Sequence, residues 1–188
     1  INNVWSADSL MTFTWKPCVD DGVGFDHYEL WIDGVIYKDS LTVTQYQLRP
    51  SQVLANGNHS WYVKAYDSLG NVASTAQFII KIDRVAPADF TLLSPANNSY
   101  FIMPTPSFSW NPTTDSGSGV GHYELWIDGI LNIDNLTQTS TSPANALTEG
   151  AHLWYVVAVD NVGNRKQSAA IWTTIGDWDP RTRPDLTS

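Results

Sequence analysis

The residues of this chain that could do chemistry come in matched sets. Asp67-Ser-Leu-Gly-Asn71 has a counterpart in Asp160-Asn-Val-Gly-Asn164, and each follows a loop carrying further carboxylates: Asp20, Asp21 and Asp26 in the first case, Asp115 in the second. Carboxylates, an amide carbonyl and backbone oxygens gathered at one end of a fold could hold Ca2+, which takes six to eight oxygen ligands. The same residue types also build turns by bonding their own backbone, and that reading applies equally to Asp20, Asp67, Asn71, Asp115, Asp160 and Asn164. His59 and His152 each stand two residues before a tryptophan, at the start of an alternating run. There a ring nitrogen could satisfy a buried carbonyl or ligate a metal. Cys18 is the single cysteine, so no intrachain disulfide exists, and it reads as a small semi-buried residue rather than a nucleophile.

Aromatic side chains are the second candidate. Trp31 and Tyr62 fall on outward positions of two runs that should be neighbours, with Lys64 close enough for a cation–π contact, and Trp126 with Tyr155 repeats the pair. Such a face could stack a sugar ring, pack across strands, or meet another protein. His27 and His122 are expected to point outward and be solvated. Asn58-His-Ser, Asn97-Asn-Ser and Asn135-Leu-Thr match the N-glycosylation pattern, a frequent coincidence in a chain this rich in Asn, Ser and Thr. A catalytic constellation is not signalled: there is no Gly-x-Ser-x-Gly, His-Glu-x-x-His or phosphate-binding glycine loop. No catalytic residue is assigned.

The elements that must position these residues are strands. Tyr28, Leu30 and Ile32 alternate against Glu29, Trp31 and Asp33, and Asp33-Gly34 has the chemistry of a type I′ turn leading into Val35–Lys38. Phe13–Trp15 forms an earlier strand; His59, Trp61, Val63 and Ala65 alternate in a later one, and Asp67–Asn71 turns the chain into a last strand over Val72–Ile82. His27-Tyr-Glu-Leu-Trp-Ile-Asp-Gly34 recurs unchanged as His122-Tyr-Glu-Leu-Trp-Ile-Asp-Gly129 at an offset of 95 residues, and the later blocks match at 93. That period is one whole domain. The chain is therefore read as all-β, two tandem Greek-key β-sandwiches: residues 1–83, a linker at 84–89 around Pro87, residues 90–176, and a tail at 177–188.

Composition agrees with this reading and narrows the partners. Nine Trp, eight Tyr and six Phe with 15% charged residues favour pleated, half-buried surfaces. A net charge of −9 argues against nucleic acid, whose binding rests on clustered Lys and Arg. No apolar run approaches the length that crosses a bilayer as a helix.

A Trp in the second strand (Trp15, Trp110), a Tyr opening the third (Tyr28, Tyr123), and a late strand ending in Ala-x-Asp and followed by x-x-Gly-Asn resemble bacterial and archaeal fibronectin type III-like and immunoglobulin-like (Big-type) modules of extracellular surface proteins. The resemblance covers nearly the whole chain, twice. It implies a non-enzymatic spacer or adhesive module, displayed outside the cell, whose partners are neighbouring modules, copies of itself, or surface glycans and proteins. Carbohydrate binding is a further alternative. At the 95 offset Ile1-Asn-Asn3 falls on Ala96-Asn-Asn98, so the first copy has no equivalent of Phe90–Pro95, while at the 93 offset the tail falls on the linker and first strand of a following copy. Two expectations follow: a window on a longer array, or a filament in which Pro184, Asp185, Leu186 and Thr187 donate an edge strand to the next subunit.

Overall fold

The computed structural model describes residues 2–8 and 10–176. The described residues divide after Val85 into two compact units. The first contains β1 (Val4–Ser6), β2 (Thr12–Thr14), β3 (Phe25–Ile32), β4 (Val35–Leu41), β5 (Gln45–Gln47), β6 (Gly57–Asp67), β7 (Val72–Ser74) and β8 (Phe78–Ile82), with a 3-10 turn at Pro50–Gln52. Its large sheet runs β1-β8-β6-β3-β4, with β7 also on β6, and a small sheet pairs β2 with β5. The second unit contains β9 (Leu92–Ser94), β10 (Ser99–Phe101), β11 (Phe108–Trp110), β12 (Val120–Ile127), β13 (Ile130–Leu136), β14 (Ser140–Thr141), β15 (Gly150–Asp160), β16 (Arg165–Gln167) and β17 (Ile171–Ile175). Its large sheet is β10-β17-β15-β12-β13 with β16 on β15, and its small sheet is β14-β11-β9.

Alternation decides which face of each strand is buried. In β3 and β12 the residues Tyr28, Leu30, Ile32 and Tyr123, Leu125, Ile127 face inward and form the cores with Phe13, Trp61 and Val63 or Phe108, Trp154 and Val156. The two hairpins close as expected, with positive φ at Asp33 (51°) and Gly34 (78°), and at Asp128 (53°) and Gly129 (76°). Tyr28 and Tyr123 serve the core and the backbone at once. Their rings pack edge-on or tilted against Trp15 and Trp110, and their hydroxyls accept the amide N–H of Cys18 and Thr113, each at 3.0 Å.

One expected element is different. The run Val72–Ile82 is not a single strand: it breaks at residues 75–77 into β7 and β8. A hydroxyl causes the break. Thr75 Oγ1 accepts the Val63 amide at 3.1 Å and donates to its neighbour Ala76 O at 2.9 Å, while Thr75 N–H bonds Val63 O at 2.9 Å. Ser168 repeats all three bonds with Val156 and Ala169 in the second unit. The side chain takes the place of a backbone acceptor in the ladder, so the strand changes course without stranding an amide. No described helix is long and apolar enough to cross a membrane.

Candidate functional site

Three sets of expected site residues lie on these frames. The acidic turns lie where β6 turns into β7 and β15 into β16. Asp67 Oδ1 accepts the N–H groups of Leu69 and Asn71 at 2.9 and 2.8 Å, and its Oδ2 accepts Asn71 Nδ2 at 2.7 Å. Asp160 makes the same three bonds to Val162 and Asn164. Asp20 caps Gly22 and Gly24, and Asp115 caps Gly117 and Gly119, again through backbone N–H donors. Each carboxylate is thus the hub of an Asx turn. The Asn71 side-chain amide, joined by backbone amides, holds the Asp67 carboxyl below its usual range. Asp20, Asp67 and Asn71 line one shallow cleft with Cys18 and Phe25. Carboxylate oxygens of Asp115 and Asp160 lie within 4.8 Å of each other.

His59 and His152 connect the hairpins to the loop before β6 or β15. His59 bonds Asp33 Oδ2 at 2.7 Å and the Ala55 carbonyl at 2.9 Å; His152 bonds Asp128 Oδ2 at 2.7 Å and the Thr148 carbonyl at 2.8 Å. The carbonyl contact is the one expected, and the hairpin aspartate is an addition. At His152, with an acceptor at each ring nitrogen, the doubly protonated imidazolium fits the site. Burial alone pushes the His152 pKa down, but the Thr148 carbonyl and the Asp128 carboxylate outweigh it and leave the pKa raised from 6.5. A raised folded-state pKa gives stability that is full below 6.5 and is lost as pH rises through the folded value. The melting midpoint of the second unit is expected to fall by about 3–5 °C as pH rises from about 6 to 8, and Asp128→Asn should flatten that slope. Scanning calorimetry across pH reads both.

The aromatic face also forms. Trp31 stacks on Tyr62 with ring centroids 5.6 Å apart and planes 16° apart, and Trp126 stacks on Tyr155 at 5.9 Å and 8°. Lys64 Nζ sits 4.0 Å from the Trp31 ring centroid. Each indole N–H is spent as well: Trp31 Nε1 donates to Glu29 Oε2 at 2.8 Å and Trp126 Nε1 to Glu124 Oε2 at 2.7 Å. These rings are engaged within their own sheets. The strand-donor tail Pro184, Asp185, Leu186 and Thr187 lies outside the described residues.

Beside the stacked pairs is a group that the sequence reading passed over. One atom each of His27, Glu29 and Asp39 lie within 4.8 Å of one another, and His122, Glu124 and Asp134 form the same group in the second unit. The outward direction of His27 and His122 is as expected, but their solvation is not. Each imidazole is only about a quarter exposed, and His27 lies flat on Tyr66 with centroids 4.8 Å apart. The signal was present as His-x-Glu on one strand. Its third member arrives from the neighbouring strand, where Ser40 and Asn135 adopt positive φ (55° and 58°) directly after Asp39 and Asp134. Around the two glutamates the units differ. Arg165 binds Glu124 with both terminal guanidinium nitrogens, whereas Val72 occupies the equivalent sequence position in the first unit, where Glu29 instead accepts the Tyr66 hydroxyl at 2.9 Å.

No protein-family model matches the chain. Exoglucanase B of Cellulomonas fimi is 25% identical over 179 residues, which take in 91% of this chain and 16% of that protein's length. Among solved structures, fibronectin(III)-like modules of CbhA from Clostridium thermocellum cover 96% of this chain and 90% of their own, with 14% identity and a TM-score of 0.54. Domains A168–A170 of titin cover 88% of this chain and 54% of theirs, with 13% identity and a TM-score of 0.51. Sheet order, hairpin geometry and these likenesses agree: the fold of this chain is a tandem of two fibronectin type III-like, immunoglobulin-like β-sandwich modules.

Proposed function

We propose that the chain is a non-catalytic spacer within a longer extracellular protein. One observation carries this reading: the acidic turns, the hairpin histidines and the stacked tryptophans of both units are engaged by bonds within their own module. The acidic turns bond their own amides, the histidines brace hairpins, and the stacked tryptophans donate to adjacent glutamates. The likeness to a stretch amounting to 16% of an exoglucanase's length fits an accessory segment beside a catalytic one. The chain is expected to release no reducing sugar from cellulose or mixed-linkage glucan and to show no retention on either in pull-down assays. Hydrolysis, or retention that disappears in Trp31→Ala, would sink the spacer reading in favour of an enzyme or a carbohydrate-binding module. For the acidic turns we propose the structural role, so added Ca2+ should leave the melting temperature unmoved.

A second reading, assembly into a filament by strand donation, is favoured by one contrast between the units. Among the described residues β2 pairs only with β5, whereas β11 is flanked by both β14 and β9. A free edge of this kind accepts an added strand. Deleting residues 181–188 tests it, because polymers that persist without the tail exclude donation by that segment.

A further inference from the structure

We propose that the first module binds one divalent transition-metal ion of the zinc class on the outer face of its large sheet, through His27 Nε2, Glu29 and Asp39, with Asp26 orienting the imidazole. An imidazole with two carboxylates suits zinc and its neighbours better than Ca2+ or Mg2+, which take oxygen ligands.

One of the three donor pairs already stands at the spacing of a bound state, and all three donors lie within 4.8 Å of one another. Two N or O ligands about 2.1 Å from a tetrahedral ion stand about 3.4 Å apart, and His27 Nε2 lies 3.5 Å from Asp39 Oδ1. His27 Nδ1 is bonded to Asp26 Oδ2 at 2.8 Å. In the tautomer that donates from Nδ1 to Asp26, the Nε2 lone pair faces the carboxylates, the arrangement in which a second carboxylate orients a ligating histidine.

The charge balance points the same way. Glu29 is 8% exposed, and its bonds come from two neutral donors, Trp31 Nε1 and Tyr66 Oη, both on Oε2. No described Lys or Arg forms an ion pair with it; Lys64, its cross-strand neighbour, places its ammonium over Trp31. A buried carboxylate without a cation is costly, and a metal ion at this point would neutralise it.

The second module is an internal control. It keeps His122, Glu124 and Asp134 within the same 4.8 Å, but Arg165 already occupies Glu124 with both nitrogens, and Gly121 stands where Asp26 orients the ring. The same three ligands are thus met by a built-in cation in one module and by none in the other. The inference does not depend on the spacer reading, since a surface metal site is compatible with a spacer, a filament or a sugar-binding module.

The test is isothermal titration of the untagged full chain with ZnSO4, with parallel thermal melts. One zinc per chain is expected, with micromolar affinity. His27→Ala and Val72→Arg should each weaken binding by about 100-fold or more, the latter because the new guanidinium takes the metal's place on Glu29. Asp26→Asn should weaken it by roughly 10-fold. Val72→Arg should melt no lower than the parent without zinc, which separates lost binding from lost folding. His122→Ala should bind like the parent. Absence of a one-to-one isotherm in the parent, unchanged binding in His27→Ala or Val72→Arg, or loss of binding in His122→Ala would each overturn the proposal.

Discussion

Trp154→Ala is expected to cost the second unit about 3–5 kcal/mol, the range for removing a fully buried large aromatic, and on a domain of this size such a loss leaves little folded population. Trp154 has no exposure and meets Phe108 edge-on at 4.8 Å, inside a core where Phe108, Leu125 and Val156 are equally inaccessible. The cavity would be walled by two sheets that cannot collapse onto it. The indole N–H, by contrast, contributes nothing, because it has no hydrogen-bond acceptor among the described residues, like that of its counterpart Trp61. Trp154→Phe removes that orphan donor together with part of the ring, so the two effects oppose each other. Phe should therefore cost less than about 1.5 kcal/mol. Urea unfolding of the two variants measures the difference. Equal costs for Ala and Phe would mean that volume is not what keeps tryptophan at this position.

The parts of this molecule that were legible from sequence are those in which neighbours along the chain are neighbours in space. The Tyr28–Ile32 alternation, the Asp33-Gly34 turn and the Asp67–Asn71 hub each depend on residues a few positions apart, so residue type and spacing suffice. Pairing Trp31 with Tyr62 needed one further step, that β3 and β6 are adjacent, and the Greek-key sandwich reading supplied it. What escaped depends on partners that pattern does not specify. Thr75 reads as an ordinary strand residue until its hydroxyl is seen in the ladder of β6. Asp39 reads as a solvated edge residue until the irregular register between β3 and β4 brings it beside His27 and Glu29. Glu29 and Glu124 sit in identical octapeptides yet meet different surroundings, because Val72 and Arg165 arrive from another hairpin. Local identity between the repeats therefore conceals an electrostatic difference that only the assembled sheet reveals.

That difference can be measured in the second module alone. Arg165→Val should destabilise it by about 2 kcal/mol at neutral pH. This is below the 3–5 typical of a fully buried pair, because the arginine is about half exposed and its charge can return to water. Most of the cost falls on Glu124, which at 4% exposure would keep one indole donor and a distant imidazole, with His122 Nε2 3.9 Å away. The effect should depend on pH, with a definite sign. Burial pushes the Glu124 pKa up, but Arg165 and Trp126 outweigh it and hold the carboxyl below its usual 4.5. A lowered folded-state pKa contributes stability that is full above 4.5 and disappears as pH falls through the folded value. Without Arg165 the burial effect is opposed only by Trp126 and His122, so the Glu124 pKa rises relative to the parent and protonation relieves the variant. The gap between parent and Arg165→Val should accordingly narrow as pH is lowered from about 7 to about 3, through the carboxylate range. Denaturant midpoints at several pH values follow it. A gap independent of pH would show that Arg165 supports the module through its aliphatic stem rather than through its charge.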